Sequence, residues 1–306
     1  MALALHDLPI GLYFSVSIYG VGVALSAALF VAVSRHLNRK SGLDATSLAV
    51  YALPLAFVFA RLFFCLARFD FVFIEMGVLF ALSTWEGGFL MWGALVGAAL
   101  GGFLASKRHR ADCLDTLDGM AAPVMASVAL LRLFEYFSTE GRGLFLEEGS
   151  FFRFFPFSVP NAFSEWRLAV FFWEAIAALA ILIILLRHTG RRGDKALLML
   201  IAYGAAQIIF ESLRVDSSPK WGFVRVSQVL SAIALFGAGM VRTNMLLGRR
   251  KALARGAIVL LCIAAVGILE WALDKTPLPI WVCYVLMCIA MAAALPLVCP
   301  RIRTRT

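Results

Sequence analysis

Residues 168–187 read LAVFFWEAIAALAILIILLR, an apolar run interrupted by one acid, Glu174, and closed by Arg187. A helix rises about 1.5 Å per residue, so about 20 such residues match a hydrocarbon core about 30 Å thick. The same reading carried outwards gives nine candidate spans, at about 12–34, 47–69, 87–106, 112–137, 168–187, 195–212, 226–245, 256–274 and 278–298. The shorter apolar run 71–83 reads as lying at the surface or re-entrant. Composition agrees. Hydrophobic residues make up 62% and charged residues 15%, and mean hydropathy is +0.88, whereas soluble domains carry about 25% charged residues. The expected fold is an all-α, polytopic integral membrane bundle of about nine helices.

The net charge of +9 is explained by where the basic residues fall. Segments following the first, third, fifth, seventh and ninth spans hold 18 of the 28 Lys and Arg, among them Arg39, Arg108, Arg192, Arg250 and Arg303; the opposite segments hold 8. The richer side is cytoplasmic by the positive-inside rule, which puts the N-terminus outside and the C-terminus inside. The excess is a topology signal, and no nucleic-acid partner is expected. The start MALALHDLPIG has no basic region and is not expected to be a cleaved signal peptide. None of the six cysteines forms a CxxC. They read as small packing residues, a disulfide or metal site being the other reading. No metal and no cofactor is expected.

Among the charged side chains inside spans, five stand out as candidates: Arg61, Arg132, Glu135, Glu174 and Glu211. Each costs roughly 2.5–3.5 kcal/mol at mid-membrane on insertion scales, so such residues are functional candidates by default. With spans alternating in direction, all five fall in the outer half, together with Tyr19 and Trp92. Tyr203, Gln207, Glu211 and Arg214 share one helix face. Two readings fit. Ion pairs fix helix packing, Arg132 with Glu135 or Glu211 and Arg61 with Glu174. Alternatively the groups line a cavity open to the outer leaflet, where arginines suit a phosphate through two parallel charge-assisted bonds. None of the histidines, His6, His36, His109 and His188, lies inside a span. Unless His6 folds in, a glutamate has to accept any proton released there. Gly93, Gly97 and Gly101 recur every fourth residue, either for tight helix packing or as a functional glycine surface. The outer segment 138–167 carries six phenylalanines between Phe145 and Phe157 and reads as a cap in the headgroup region, an anchor or a gate.

In order and spacing the chain resembles the bacterial prolipoprotein diacylglyceryl transferases over about residues 10–245. Ile18-Tyr19-Gly20 matches an IYG element, and Trp85-Glu86-Gly87-Gly88 a WEGG element. Arg132-x2-Glu135-x4-Glu140-x2-Gly143 has the spacing of the family signature GRxGNFxNGExxG. Phe172-Trp173-Glu174 stands at the LYE position. Tyr203-Gly204-x6-Glu211-x2-Arg214 is similar to YGxxRxxxExxR, and Gln228 stands at the glutamine of MGQ. The resemblance implies transfer of a diacylglyceryl group from phosphatidylglycerol, or a related lipid, to the thiol of a lipobox cysteine in a secreted lipoprotein precursor. Glycerol phosphate leaves. The site would face the outer leaflet of the bacterial cytoplasmic membrane.

By the same resemblance Arg132 would hold the phosphate, Glu140 and Glu211 would orient polar groups, Arg214 would bind or steer the headgroup, and Tyr19 and Tyr203 would line the site. Arg61, Glu135, Gly143 and Glu174 complete the candidate set, with Trp92 and Gln207. Those last two depart from the family: Trp92 replaces the histidine of HGG and Gln207 the arginine of the sixth span, while Glu135 replaces the signature asparagine. The site is two charge units more negative than the family pattern. The expected division is a transferase-like unit over 1–248 and a two-helix extension over 249–306. A non-catalytic relative that binds lipid or precursor is the alternative. An unrelated transporter is disfavoured, because a transport path would continue past a single depth.

Overall fold

The computed structural model describes residues 7–9, 15–39, 44–138, 140–161, 163–216 and 218–299. Among them nine helices have 18 residues or more: α1 (Ile18–Leu37), α2 (Ala45–Ala67), α3 (Met91–His109), α4 (Cys113–Phe134), α5 (Val170–Arg187), α6 (Asp194–Leu213), α7 (Val226–Leu247), α8 (Arg249–Lys275) and α9 (Ile280–Val298). Eight are long and apolar enough to cross a membrane. The exception is α3, whose four glycines and basic last turn dilute its apolar content. The chain is therefore a multi-pass membrane protein with an all-α fold. The run 71–83 is not a tenth long helix. It forms a π-helical turn, Asp70–Glu75, and a 3-10 turn, Val78–Leu82, with a second 3-10 turn at Thr84–Glu86.

Local signals start the helices where water-accessible ends leave backbone N–H groups unpaired. Asp44 accepts from Thr46 and Ser47 to cap α2, and Asp112 accepts from Leu114 and Asp115 to cap α4. The start of α6 is capped from another helix: Asp118 of α4 accepts from Gly193 and Ala196.

Helices gain little from the hydrophobic effect inside lipid, so close packing and polar contacts must hold them together. The α2–α3 pair shows how. A Cβ at Gly93, Gly97 or Gly101 would run into the backbone of Phe59, Leu55, or Tyr51 and Ala52. The glycine repeat is thus a packing surface. Three apolar cores follow. One joins α1 to α4 around Phe30, Leu48 and Met120, and a second joins α3 to α6 around Trp92, Met125 and Leu185. The third lies among α6–α9 around Leu235, Val259 and Met287, so the last two helices are built onto α6 and α7. At the end of the bundle bearing the Arg242 turn, Arg242 grips both carboxylate oxygens of Asp194 at 2.7 and 3.2 Å and donates to the Val298 carbonyl. The six cysteines are unbridged.

Above the start of α5 the cap carries a small antiparallel hairpin of β1 (Ser158–Pro160) and β2 (Trp166–Leu168). Its phenylalanines do two jobs. Phe155 packs edge-on against Phe172 and Phe157 at a tilt against Trp173 of α5, while Phe151 and Phe163 are 81% and 85% exposed.

Candidate active site

The charged side chains meet where α4 and α6 end and α5 and α7 begin. Arg132, in the last turn of α4, is 4% exposed. Its Nη1 donates to Glu135 Oε1 at 2.5 Å, its Nε lies 2.6 Å from Glu174 Oε2 on α5, and its Nη2 donates to the Tyr203 hydroxyl at 3.4 Å. The other oxygen of Glu174 accepts from Arg214 Nη1 at 3.3 Å. Arg214 then donates through Nε to Asp216 at 2.6 Å. Asp216 also takes Arg225 Nη1 at 2.6 Å, and Arg225 Nη2 reaches the Arg214 carbonyl at 2.5 Å. Charges alternate along this chain from Glu135 to Arg225. Buried ions persist only when paired in this way, because each carries a desolvation cost of several kcal/mol.

The loop over the cluster is built from backbone. Gly143 N–H donates to the Leu168 carbonyl at 2.8 Å, Leu168 N–H to Leu144 at 3.0 Å, and Val215 N–H to Arg142 at 2.9 Å. Residues 141–144 are thereby stitched between the starts and ends of two helices. Gly141 has φ +71°, and a side chain there would collide with the Glu135 carboxylate. At Gly143, which bridges to Arg214, a Cβ would meet Val170 and the Leu213 carbonyl. Asp216 joins the loop to the charges by accepting from Gly141 N–H at 3.3 Å. Burial on its own disfavours the Asp216 anion. Arg214, the Ser218 hydroxyl and Arg225 outweigh it and hold the carboxyl well below the usual carboxylate range.

The expected residues divide. Arg132, Glu135, Glu174, Tyr203 and Arg214 are in direct contact. Half-buried Tyr19, at the start of α1, lies within electrostatic reach of Glu135, Glu140, Arg132 and Arg214. Glu140 sits on the loop, exposed, with Arg214, Asp216 and Arg132 as its charged neighbours. Glu211 and Gln207 are buried on α6. Trp92 is not a free aromatic lining. Its Nε1 donates to Ser231 Oγ at 2.9 Å and its ring packs 5.6 Å from that of Tyr203. Gln228 serves α7 itself, accepting from Arg225 N–H at 3.1 Å.

Arg61 departs from expectation. It does not pair with Glu174, whose two oxygens face Arg132 and Arg214. Its guanidinium donates to the carbonyls of Phe80, Ala81, Ser83, Gly87 and Gly88, under the rings of Phe64, Phe80 and Phe89. The segment 80–88 is largely short turns, so its carbonyls lack helical partners and need a donor. All five N–H groups of a guanidinium are used there, leaving none for a phosphate.

Asp216, Arg225 and Ser231 are parts of the arrangement that sequence reasoning missed. Arg225 and Asp216 stand outside the apolar runs, where a charge reads as solvated. The signal available was their closeness to Arg214 and Gln228. The histidines are remote. His36, His109 and His188 stand 17, 17 and 14 residues along their helices from Tyr19, Trp92 and Glu174, roughly 20–25 Å at helical rise. His109 contacts Ser47 and His188 contacts Asp194. His6 lies outside the described residues.

The model of the prolipoprotein diacylglyceryl transferase family matches residues 8–243, which include every residue of the cluster. A phosphatidylglycerol–prolipoprotein diacylglyceryl transferase of Streptococcus pneumoniae serotype 4 is 31% identical over 203 residues, covering 65% of this chain and 76% of the relative. One of the same description from Listeria monocytogenes serotype 4a is 28% identical over 232 residues, covering 72% of this chain and 82% of the relative. With matched sequence extending from before α1 into α7, the chain belongs to the prolipoprotein diacylglyceryl transferase family.

Proposed function

We propose that this protein transfers a diacylglyceryl group from phosphatidylglycerol, or a closely related lipid, to the thiol of a lipobox cysteine in a secreted lipoprotein precursor. It works in the bacterial cytoplasmic membrane, with the cluster facing the outer leaflet, the N-terminus outside and the C-terminus inside. The observation that carries the reading is the buried Arg132–Glu174–Arg214 chain. It supplies two guanidiniums of fixed direction beneath a loop that joins α4 to α5. A phosphodiester is bound well by such groups, and they stabilise the charge that develops as the phosphate leaves. Residues 1–248 form the transferase unit, and 249–306 form an added two-helix support for α6 and α7. Arg132 and Arg214 hold the headgroup, Glu140 and Glu211 act at the reacting end, and Tyr19, Tyr203 and Gly143 shape the space.

A second reading is favoured by one arrangement. Arg132 is already engaged by two carboxylates, Glu135 and Glu174, and Trp92 fills the place of the family histidine. A protein so arranged binds lipid or precursor without turning it over. Complementation separates the two. Growth of a strain depleted of its own transferase, on expression of this chain, supports catalysis. Failure to grow with the protein verified in the membrane supports binding alone.

A further inference from the structure

We propose that Glu211 is the base that accepts the proton of the acceptor thiol in this protein. The proposal rests on the transferase reading above and assigns the proton its reaction must move.

A thiol reacts as its thiolate, so the site needs an acceptor for one proton. The family histidine is absent, since Trp92 donates its only N–H to Ser231 and has no acceptor nitrogen. The carboxylates of the cluster are not equivalent. Glu135, Glu174 and Asp216 each stand within 2.5–2.6 Å of a guanidinium, so each already has a fixed cationic partner. Glu140 is on the exposed loop. Glu211 is 4% exposed, and among the described residues it forms no ion pair. Its Oε2 is buried with no hydrogen-bond partner, as is Oε2 of Glu135, whose other oxygen Arg132 holds. A buried acceptor left without a donor is costly, and its persistence points to a partner that arrives. The groups acting on its carboxylate are Arg132 of α4, Glu174 of α5, Tyr203 of α6, and Arg214 and Asp216 just beyond α6. It therefore sits among the groups that would hold the phosphate.

The step balances. The S–H proton passes to the Glu211 carboxylate. The sulfur lone pair attacks the glyceryl carbon that carries the phosphate ester. A C–S bond forms as the C–O bond breaks, and its electron pair leaves with glycerol phosphate. The proton then moves from Glu211 to the departing phosphate, restoring the carboxylate.

The test pairs Glu211→Gln with a changed nucleophile. Purified protein in phosphatidylglycerol vesicles is given a lipobox peptide bearing cysteine, or the same peptide bearing selenocysteine kept reduced. A selenol is ionised at neutral pH and needs no base. Glu211→Gln is expected to lose about 100-fold or more in rate with cysteine, the size of a general-base contribution. With selenocysteine it should come within about tenfold of the wild type. Equal loss with both peptides, no loss with cysteine, or selenocysteine rescue confined to Glu140→Gln would overturn the assignment while leaving the transferase reading intact. A wild type inactive on both peptides would overturn the reading itself.

Discussion

Arg132 and Glu174 face each other across α4 and α5, Nε 2.6 Å from Oε2, with both side chains sealed from solvent. Glu135 and Tyr203 are joined directly to this pair, and Arg214 and Asp216 through Glu174. Arg132→Ala would leave the Glu174 and Glu135 anions short of a cation. Removing one member of a buried pair costs about 3–5 kcal/mol. The expected result is lower thermal stability in detergent together with loss of transfer. Arg132→Lys should recover much of the stability and little of the activity, since an ammonium cannot serve Glu135, Glu174 and a phosphate in one plane.

Asp216 gives the pH dependence. Its carboxyl is held below the ordinary range, so its contribution to stability is complete above the unfolded value of about 3.9 and is lost as pH falls through the folded one. The stability gap between wild type and Asp216→Asn should be constant from about pH 7 to pH 5 and shrink below about pH 4. Thermal melts of the two proteins across that range measure it. A gap that already closes near pH 6 would show that Asp216 is not held by Arg214 and Arg225.

Gly97 faces the Leu55 carbonyl, which is backbone and cannot move aside. Gly97→Leu must therefore separate α2 from α3. A destabilisation of about 3 kcal/mol is expected, at the upper end for overpacking. Gly267, with open space around it, should accept alanine with little change in melting temperature.

Arg61→Lys offers three donors to five carbonyls. Backbone amides of the turns and loop at 78–90 should then exchange hydrogen faster, while amides of α4 and α5 stay protected. Uniform loss of protection would contradict a local role for Arg61.

Gln207→Arg restores the family residue but places a guanidinium one turn from Glu211. Alone it should lower transfer by occupying the proposed base. Combined with Trp92→His, which supplies an acceptor nitrogen, it should raise transfer above the wild type. The rates of the two single variants and the double variant on one lipobox peptide decide this.

The helices were legible because lipid imposes a simple demand of about 20 apolar residues per crossing. All nine sequence spans have a long helix in place; starts moved by one or two residues where Asp44 and Asp112 cap α2 and α4, and by six and seven at α1 and α8. The depth shared by Arg132, Glu135 and Glu174 was legible for the same reason. Pairing was not. Helical rise places Arg61 at a comparable height but says nothing of azimuth, and the carbonyls that claim it lie in turns with no hydrophobic period. Asp216 and Arg225 were hidden differently: both lie in the segment between two spans, and folding alone brings them against Arg214.

The central claim is that the Arg132–Glu174–Arg214 chain supports lipid transfer to a thiol. Mass spectrometry of a lipobox peptide incubated with the purified protein and phosphatidylglycerol tests it most directly. The account predicts a mass gain of one diacylglyceryl group on the cysteine, with glycerol phosphate released in equal amount and neither seen with Arg132→Ala. An unmodified peptide with folded wild-type protein, or equal modification by Arg132→Ala, would contradict it.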